Sequence, residues 1–418
     1  MKTLLASTRL AAIILMLPLS WAVAENGASA MWTPVTMAAS SAWTGNEYAG
    51  LGACCQSKAC GHYYSGCACP ACRRWVTWVS ADFLMGWGRG RAVPALVTTS
   101  PPGTPQAVAG VLGQPTTTIL FGNEDIGDGF QGGARLDFGM WFDDYESIGV
   151  GATVWGFAGD RVGYANSSDG STIIARPFYD VTTSAQNAFL VAYPGNASGS
   201  LTARATNDIL GTDAYLRTNV WIGRGFSVDV IGGYEFMRVD DDLRIESSST
   251  VLGGGIYPVG TTIDVFDSFD ARNEFHGGVV GIISDFHYRS FTVTLLAKLG
   301  VGNMNQRVTI AGQTVVDTGG GPAVTNNGFL TQPSNIGTYS RNKLVYIPEL
   351  GVNLAYNVNE YLAINVGYRF TWWSSVALST DAIDVNIDIT QLTPQPSFQF
   401  RDAEYYIHSL SVGATVRW

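Results

Sequence analysis

Along most of this chain apolar and polar side chains alternate residue by residue in ten stretches, and the links between the stretches are long and short by turns. A period of two belongs to pleated strands whose faces meet different surroundings, because successive side chains on a strand point to opposite sides. The stretches are 75–87, 132–143, 146–157, 209–222, 225–238, 269–284, 290–302, 343–358, 361–373 and 405–418. In the fourth, Leu210, Leu216, Val220 and Ile222 share one parity, while Asp213, Tyr215, Arg217 and Asn219 fill the other. In the seventh, Phe291, Val293, Leu295, Leu299 and Val301 stand against Ser290, Thr292, Thr294 and Lys298.

Alternation alone would also describe a soluble sheet with one buried face. The links decide for a membrane. Tight connections fall around Asp143 to Tyr145, at Gly223-Arg224-Gly225, at Asp285 to Arg289 and at Val358 to Glu360; the others, near 88–131, 158–208, 239–268, 303–342 and 374–404, are all long. Short periplasmic turns, long external loops and an even strand number are the pattern of outer-membrane barrels. The expected fold is therefore all-β: an antiparallel transmembrane β-barrel of ten strands, twelve being the other count the pattern allows. An even count puts both chain ends on the periplasmic side.

Composition is consistent with this. The chain is 46% hydrophobic but 14% charged, and no segment beyond the N-terminus approaches the apolar length of a membrane helix. A chain that spans lipid without such a helix must close its sheet, because lipid cannot satisfy free backbone groups. A formal charge of −10 offers no basic patch for phosphates, so no nucleic-acid partner is expected.

At the N-terminus, Lys2 and Arg9 precede an apolar run from Leu10 to Leu19, and Ala22-Val23-Ala24 has the small residues of a cleavage site. A signal peptide of residues 1–24 is expected, with Ala28-Ser29-Ala30 as a second cleavage point. Residues 25–74 then carry all six cysteines: Cys54, Cys55, Cys60, Cys67, Cys69 and Cys72. An exported segment too small to build a core is a natural place for disulfides. Metal is the other reading of Cys67, Cys69 and Cys72 with His62 nearby, but the spacing is tighter than that of separated zinc-binding pairs. No cofactor or metal is expected.

From residue 75 onward the chain resembles the putative beta-barrel porin-7 family of outer-membrane proteins, of planctomycete type. The blocks that carry the resemblance run from Ala81-Asp82-Phe83-Leu84-Met85-Gly86-Trp87 and Val93-Pro94-Ala95-Leu96 through Phe269-Asp270-Ala271-Arg272-Asn273-Glu274-Phe275 and Ala297-Lys298-Leu299-Gly300. They continue with Pro348-Glu349-Leu350-Gly351 and Gly367-Tyr368-Arg369-Phe370-Thr371-Trp372-Trp373-Ser374. The resemblance implies fold and location, not an activity. The ending, Ile407 to Trp418, resembles the terminal aromatic strand by which such barrels are recognised for assembly.

Assigning the apolar parity to lipid turns Arg135, Asp137, Asp213, Arg217, Asp229, Glu235, Asp270, Arg272, Glu274, His276, Lys298, Glu349 and Arg369 inward. Ten strands lie nearer the side-chain-filled limit than the open-channel limit, so a braced core of paired charges competes with a narrow conduit. Trp87, Phe142, Tyr234, Phe236, Tyr368, Phe370, Trp372 and Trp418 are expected to form aromatic girdles, with Trp141, Trp155 and Trp221 inside the lumen.

In the first long link little helix is expected. In the last, Ile383, Val385, Ile387 and Ile389 alternate with polar residues as a hairpin arm would, and Asp240-Asp241-Asp242 reads as an exposed acidic turn. Glu274, His276 and Asp270 on one face are too little for an enzyme without a nucleophile motif. The expected function is a narrow porin passing small hydrophilic solutes, with a non-conducting surface anchor as the alternative. The expected partners are outer-membrane lipid, the barrel-assembly machinery and small solutes.

Overall fold

The computed structural model describes residues 76–418, apart from Asp144, Gly254 and the side chain of Asp160. The expected signal peptide, the expected cysteine-rich segment and the six cysteines lie outside the described residues. Ten long strands form the wall: β1 Thr77–Gly88, β2 Phe130–Trp141, β3 Ile148–Ser168, β4 Ala197–Gly223, β5 Phe226–Val251, β6 Thr262–Tyr288, β7 Phe291–Asp317, β8 Gly337–Asn357, β9 Leu362–Val376 and β10 Ala403–Arg417. Each pairs antiparallel with its neighbours in the chain. β10 also pairs with β1, from Trp78↔Arg417 to Gly88↔Ile407, so the circuit of pairings returns to its start. The short strand Pro322–Thr325 adds to the far end of β7.

The four tight links hold at the expected places. In the first, Asp143 accepts bonds from the backbone amides of Tyr145, Ser147 and Ile148 at 2.9, 2.9 and 3.1 Å. These bonds, Ser147's foremost, hold its carboxyl below the usual carboxylate range.

Three of the expected long links are largely strand instead, because β3 to β7 run well past the expected ends. The alternation continues there, but its polarity is exchanged. In the lower part of β4, toward the tight turns, Leu210, Leu216 and Val220 lie exposed on the outer face, while Asp213 is buried inside. In its upper part the inner face carries buried Leu201, Ala203 and Ala205, and the outer face Thr202, Arg204, Thr206 and Asp208. β5 exchanges faces after Phe236: Val230 and Tyr234 are outside below it, Val239, Leu243 and Ile245 inside above it. β7 changes after Val301, with Leu295 and Leu299 outside below, and Met304, Val308 and Ile310 inside above.

The exchange has a physical cause. The long links fold inward and fill the upper barrel. Val97–Thr99, Thr118–Phe121, Ile174–Asp180, Ala185–Ala192 and Asn386–Ile387 assemble a small second sheet. Its residues Val97, Phe121, Ile174, Phe178 and Ile387 share one apolar core with Leu201, Leu243, Phe269 and Val308 of the wall. Each fully buried side chain of this size contributes roughly 1.5–3 kcal/mol of transfer free energy. Above the exchange the greasy surroundings are therefore inside.

Two buried aspartates of the inner wall tie the links down. Asp267 of β6 pairs with Arg176 at 2.6 Å and accepts bonds from the backbone amides of Leu330 and Thr331 at 2.8 and 2.9 Å. Asp241 of β5 pairs with Arg91 and accepts from the Ser379 amide and hydroxyl, both at 2.8 Å. The expected acidic turn at Asp240-Asp241-Asp242 is thus strand, with Asp241 turned inward to hold two links. Nor is 383–389 a hairpin arm. Ile383 and Ile387 are buried, and Asn386–Ile387 runs parallel to Ile174–Asp180, because the apolar face of this segment packs into the filled upper barrel. The first long link does carry little helix, one turn at Gln106–Val108.

Candidate functional site

In the lower half the inward face is mostly polar, with Ile231, Val279 and Ile283 among its apolar members, and the charged side chains meet as one braced cluster around a cavity of about 430 Å³. At its centre Lys298 on β7 reaches Asp213 at 2.6 Å, Glu235 at 3.0 Å and Glu349 at 3.3 Å, joining β4, β5 and β8. Arg369 on β9 takes the other side of Glu349 at 2.8 Å. Arg135 bridges Asp82 at 2.7 Å and Asp137 at 3.1 Å. Arg217 pairs with Asp229 and, at 3.0 Å, with Asp285, and its guanidinium lies 4.9 Å from the ring centroid of Trp141. Val76, Glu146, Gly225 and Arg417 near the tight turns also line the cavity, so it reaches the turn end of the barrel.

Most of the expected lumen residues are in this cluster: Arg135, Asp137, Asp213, Arg217, Asp229, Glu235, Lys298, Glu349 and Arg369. Four are not. Asp270, Arg272, Glu274 and His276 face outward, and the inner positions between them are buried Phe269, Ala271, Asn273 and Phe275. The apolar parity of this stretch meets the packed interior of the upper barrel rather than the outer surface. His276 instead shares a 2.6 Å hydrogen bond with the Tyr234 hydroxyl, and His408 repeats the arrangement with Tyr368 at 2.6 Å.

Trp221 is a further correction. A register shift between Asn219 and Trp221 turns it out at the tight-turn end, where it is exposed. Sequence reading missed Asp82 and Asp285. Asp82 shares a parity with Ser80 and Leu84 against Val79 and Phe83, a signal that was available; Asp285 sits where the strand was expected to have ended.

Above the cluster lies an apolar layer to which every strand but β2 contributes. Its members include Leu84, Trp155, Phe157, Met237, Phe275, Met304, Trp373 and Tyr405. Trp155 of β3 and Trp373 of β9 lie 6.5 Å apart by ring centroid, and Trp373 and Tyr405 5.7 Å. The Tyr405 hydroxyl donates to Asn207 of β4 at 3.0 Å. Glycine makes the layer possible at two places: a Cβ at Gly86 would strike Phe157, and one at Gly211 would strike Trp155. The lumen thus runs from a charged chamber through an aromatic floor into the packed loop domain.

A strand circuit with a broad exposed apolar band, a polar lower interior and long links at one end defines a β-barrel protein of the outer membrane. The chain belongs to the family described as Putative beta barrel porin-7 (BBP7), whose profile matches residues 78–418. No curated protein matches it. Among solved structures it is similar to the outer membrane protease OmpT from Escherichia coli, with 9% identity, a TM-score of 0.37, and coverage of 82% of this chain and 96% of that one. It is also similar to a Pseudomonas aeruginosa FadL homologue, with 7% identity, a TM-score of 0.22, and coverage of 82% and 90%. At such scores neither likeness bears on strand number or activity.

Proposed function

We propose that the protein is a non-conducting outer-membrane barrel that anchors and displays the folded loop domain. The observation that carries this reading is the aromatic layer at Trp155, Trp373 and Tyr405, backed by the apolar core of the links. A conducting path would have to pass both. The exposed band from Leu210 to Ile222 meets lipid in this reading. At about 3.3 Å per residue and a tilt near 40° it spans roughly 30 Å, which suits a bilayer core. Trp87, Tyr234, Tyr368 and Trp418, all exposed on the outer face, serve as interfacial anchors. The tight turns and both ends of the barrel then face the periplasm, and the Ile407–Trp418 ending meets the assembly machinery. The protein acts by binding and not by catalysis.

The narrow porin is the second reading, favoured by the charged chamber and by the family's name. Planar-bilayer recording of purified, refolded protein separates the two. A silent membrane with fully folded protein is expected; stepwise currents would establish the porin instead.

A further inference from the structure

The last long link forms a second, smaller cavity of about 200 Å³. Two of its lining residues, Ala382 and Ile383, belong to the buried apolar core of the links, so the cavity is rooted in the packed loop domain. Its walls are tied together by Asp384. One oxygen of this carboxylate accepts from the Ser397 amide at 2.8 Å, the other from the backbone and side-chain amides of Asn386 at 3.0 and 2.7 Å. Asn386–Ile387 is held in turn by its pairing with Ile174–Asp180, and the opposite wall by Phe398 stacked on Tyr339 with ring centroids 4.3 Å apart. The cavity is thus preformed, and the charges that face it do not close on one another. Asp381, half-buried, and Arg401, exposed, both line it, and among the described residues neither side chain makes a hydrogen bond or an ion pair. Burial raises the Asp381 carboxyl above the usual carboxylate range, against the opposing pull of Arg401 and Arg89. Gln395 and Gln399 line the same space, and their side-chain amides make no hydrogen bond among the described residues.

We propose that this cavity binds one neutral saccharide unit. A hydroxyl both donates and accepts, so a ring of hydroxyls can meet a carboxylate, a guanidinium and two amides together. An ion of either sign would engage one of the two opposite charges and oppose the other. Among the described residues no three His, Cys, Asp or Glu side chains are placed to ligate a metal ion. The volume is below the roughly 300–1,000 Å³ of drug-sized ligand sites, which limits the occupant to about one ring. This inference deepens the proposed function: it names what the displayed loop domain binds, and it rests on that domain standing at the cell surface.

The test is isothermal titration of the full mature protein in amine-oxide micelles, since detergents with sugar headgroups would compete. The probes are glucose, galactose, mannose and N-acetylglucosamine with their methyl glycosides, and glutamine as a zwitterion that could also bridge Asp381 and Arg401. Saturable heat is expected with at least one sugar and not with glutamine. Asp381→Ala and Arg401→Gln are each expected to weaken that binding about tenfold, with heat-resistant mobility on gels reporting that each variant is folded. Binding kept by the methyl glycoside, whose blocked oxygen stands for a chain linkage, assigns the site to a glycan; binding lost assigns it to the free sugar. No saturable heat with any sugar and folded protein, equal or tighter binding of glutamine, or unchanged affinity in both variants would each overturn the proposal. The titration is read without a bilayer, so its result stands apart from the conductance recordings. Currents would overturn the anchor and leave the sugar site, whereas a silent bilayer with no sugar heat would leave the anchor and remove the site.

Discussion

Trp155 and Trp373 belong to strands on different sides of the barrel, yet their rings stand 6.5 Å apart across the lumen. This contact is where the chamber ends. Removing it should weaken the barrel. Trp373→Ala is expected to cost about 3–5 kcal/mol of stability in urea titrations in lipid vesicles. An unchanged urea midpoint for Trp373→Ala would show that the layer is not packed as described.

Lys298 is shared by three buried carboxylates, so its loss leaves Asp213, Glu235 and Glu349 facing one another. Lys298→Ala is expected to destabilise the barrel by roughly 3–5 kcal/mol, because unpaired buried charge is expensive. Combining it with Asp213→Asn and Glu235→Gln should recover much of that loss. Denaturant midpoints of the single and triple variants check this; no recovery would contradict it.

The loop domain should detach without unfolding the barrel. Asp267→Ala leaves the buried guanidinium of Arg176 without its carboxylate and frees the Leu330 and Thr331 amides. Protease cleavage within 169–196 and 318–336 is expected to rise sharply, with heat-resistant mobility retained. Resistance equal to the parent protein would mean that the links do not depend on this anchor.

The last long link carries one local pH response. The hydroxyls and amides of Thr390 and Thr393 converge on Asp388, and these bonds, Thr390's foremost, hold its carboxyl well below the usual range. The charged form is the one the fold favours. Its stabilising effect is therefore complete above an ordinary carboxylate pKa of about 4 and is lost only as the pH falls through the lower folded value. Hydrogen exchange at Thr390 and Thr393, corrected for intrinsic rates, is expected to stay flat down to about pH 4 and to loosen below it. In Asp388→Asn the protection is expected to be weaker throughout and flat with pH.

The strands and tight turns were legible because alternation and turn residues are local signals. Asp213, Arg217 and Lys298 could be assigned to the lumen because their strands are apolar on the opposite parity at lipid depth. The same rule turned His276 and Glu274 the wrong way, since a period of two says which residues share a face but not what that face meets. Only the inward fold of the distant links, with Phe178 and Ile387 packed against Leu243 and Phe269, reverses the assignment. Asp241 and Asp267 were hidden for the same reason: their partners Arg91 and Arg176 lie in links whose course no local pattern reveals.

The central claim is that one strand has two kinds of outer surface, lipid-facing below the exchange and water-facing above it. Arginine scanning along the even positions of β4, read by unfolding free energy in lipid vesicles, tests it most directly. Leu216→Arg is expected to cost about 2–4 kcal/mol, while Thr206→Arg, on the same face above Leu210, is expected to lie within about 0.5 kcal/mol of the parent protein. Equal costs at the two positions, or a larger one at Thr206, would contradict the exchange of faces.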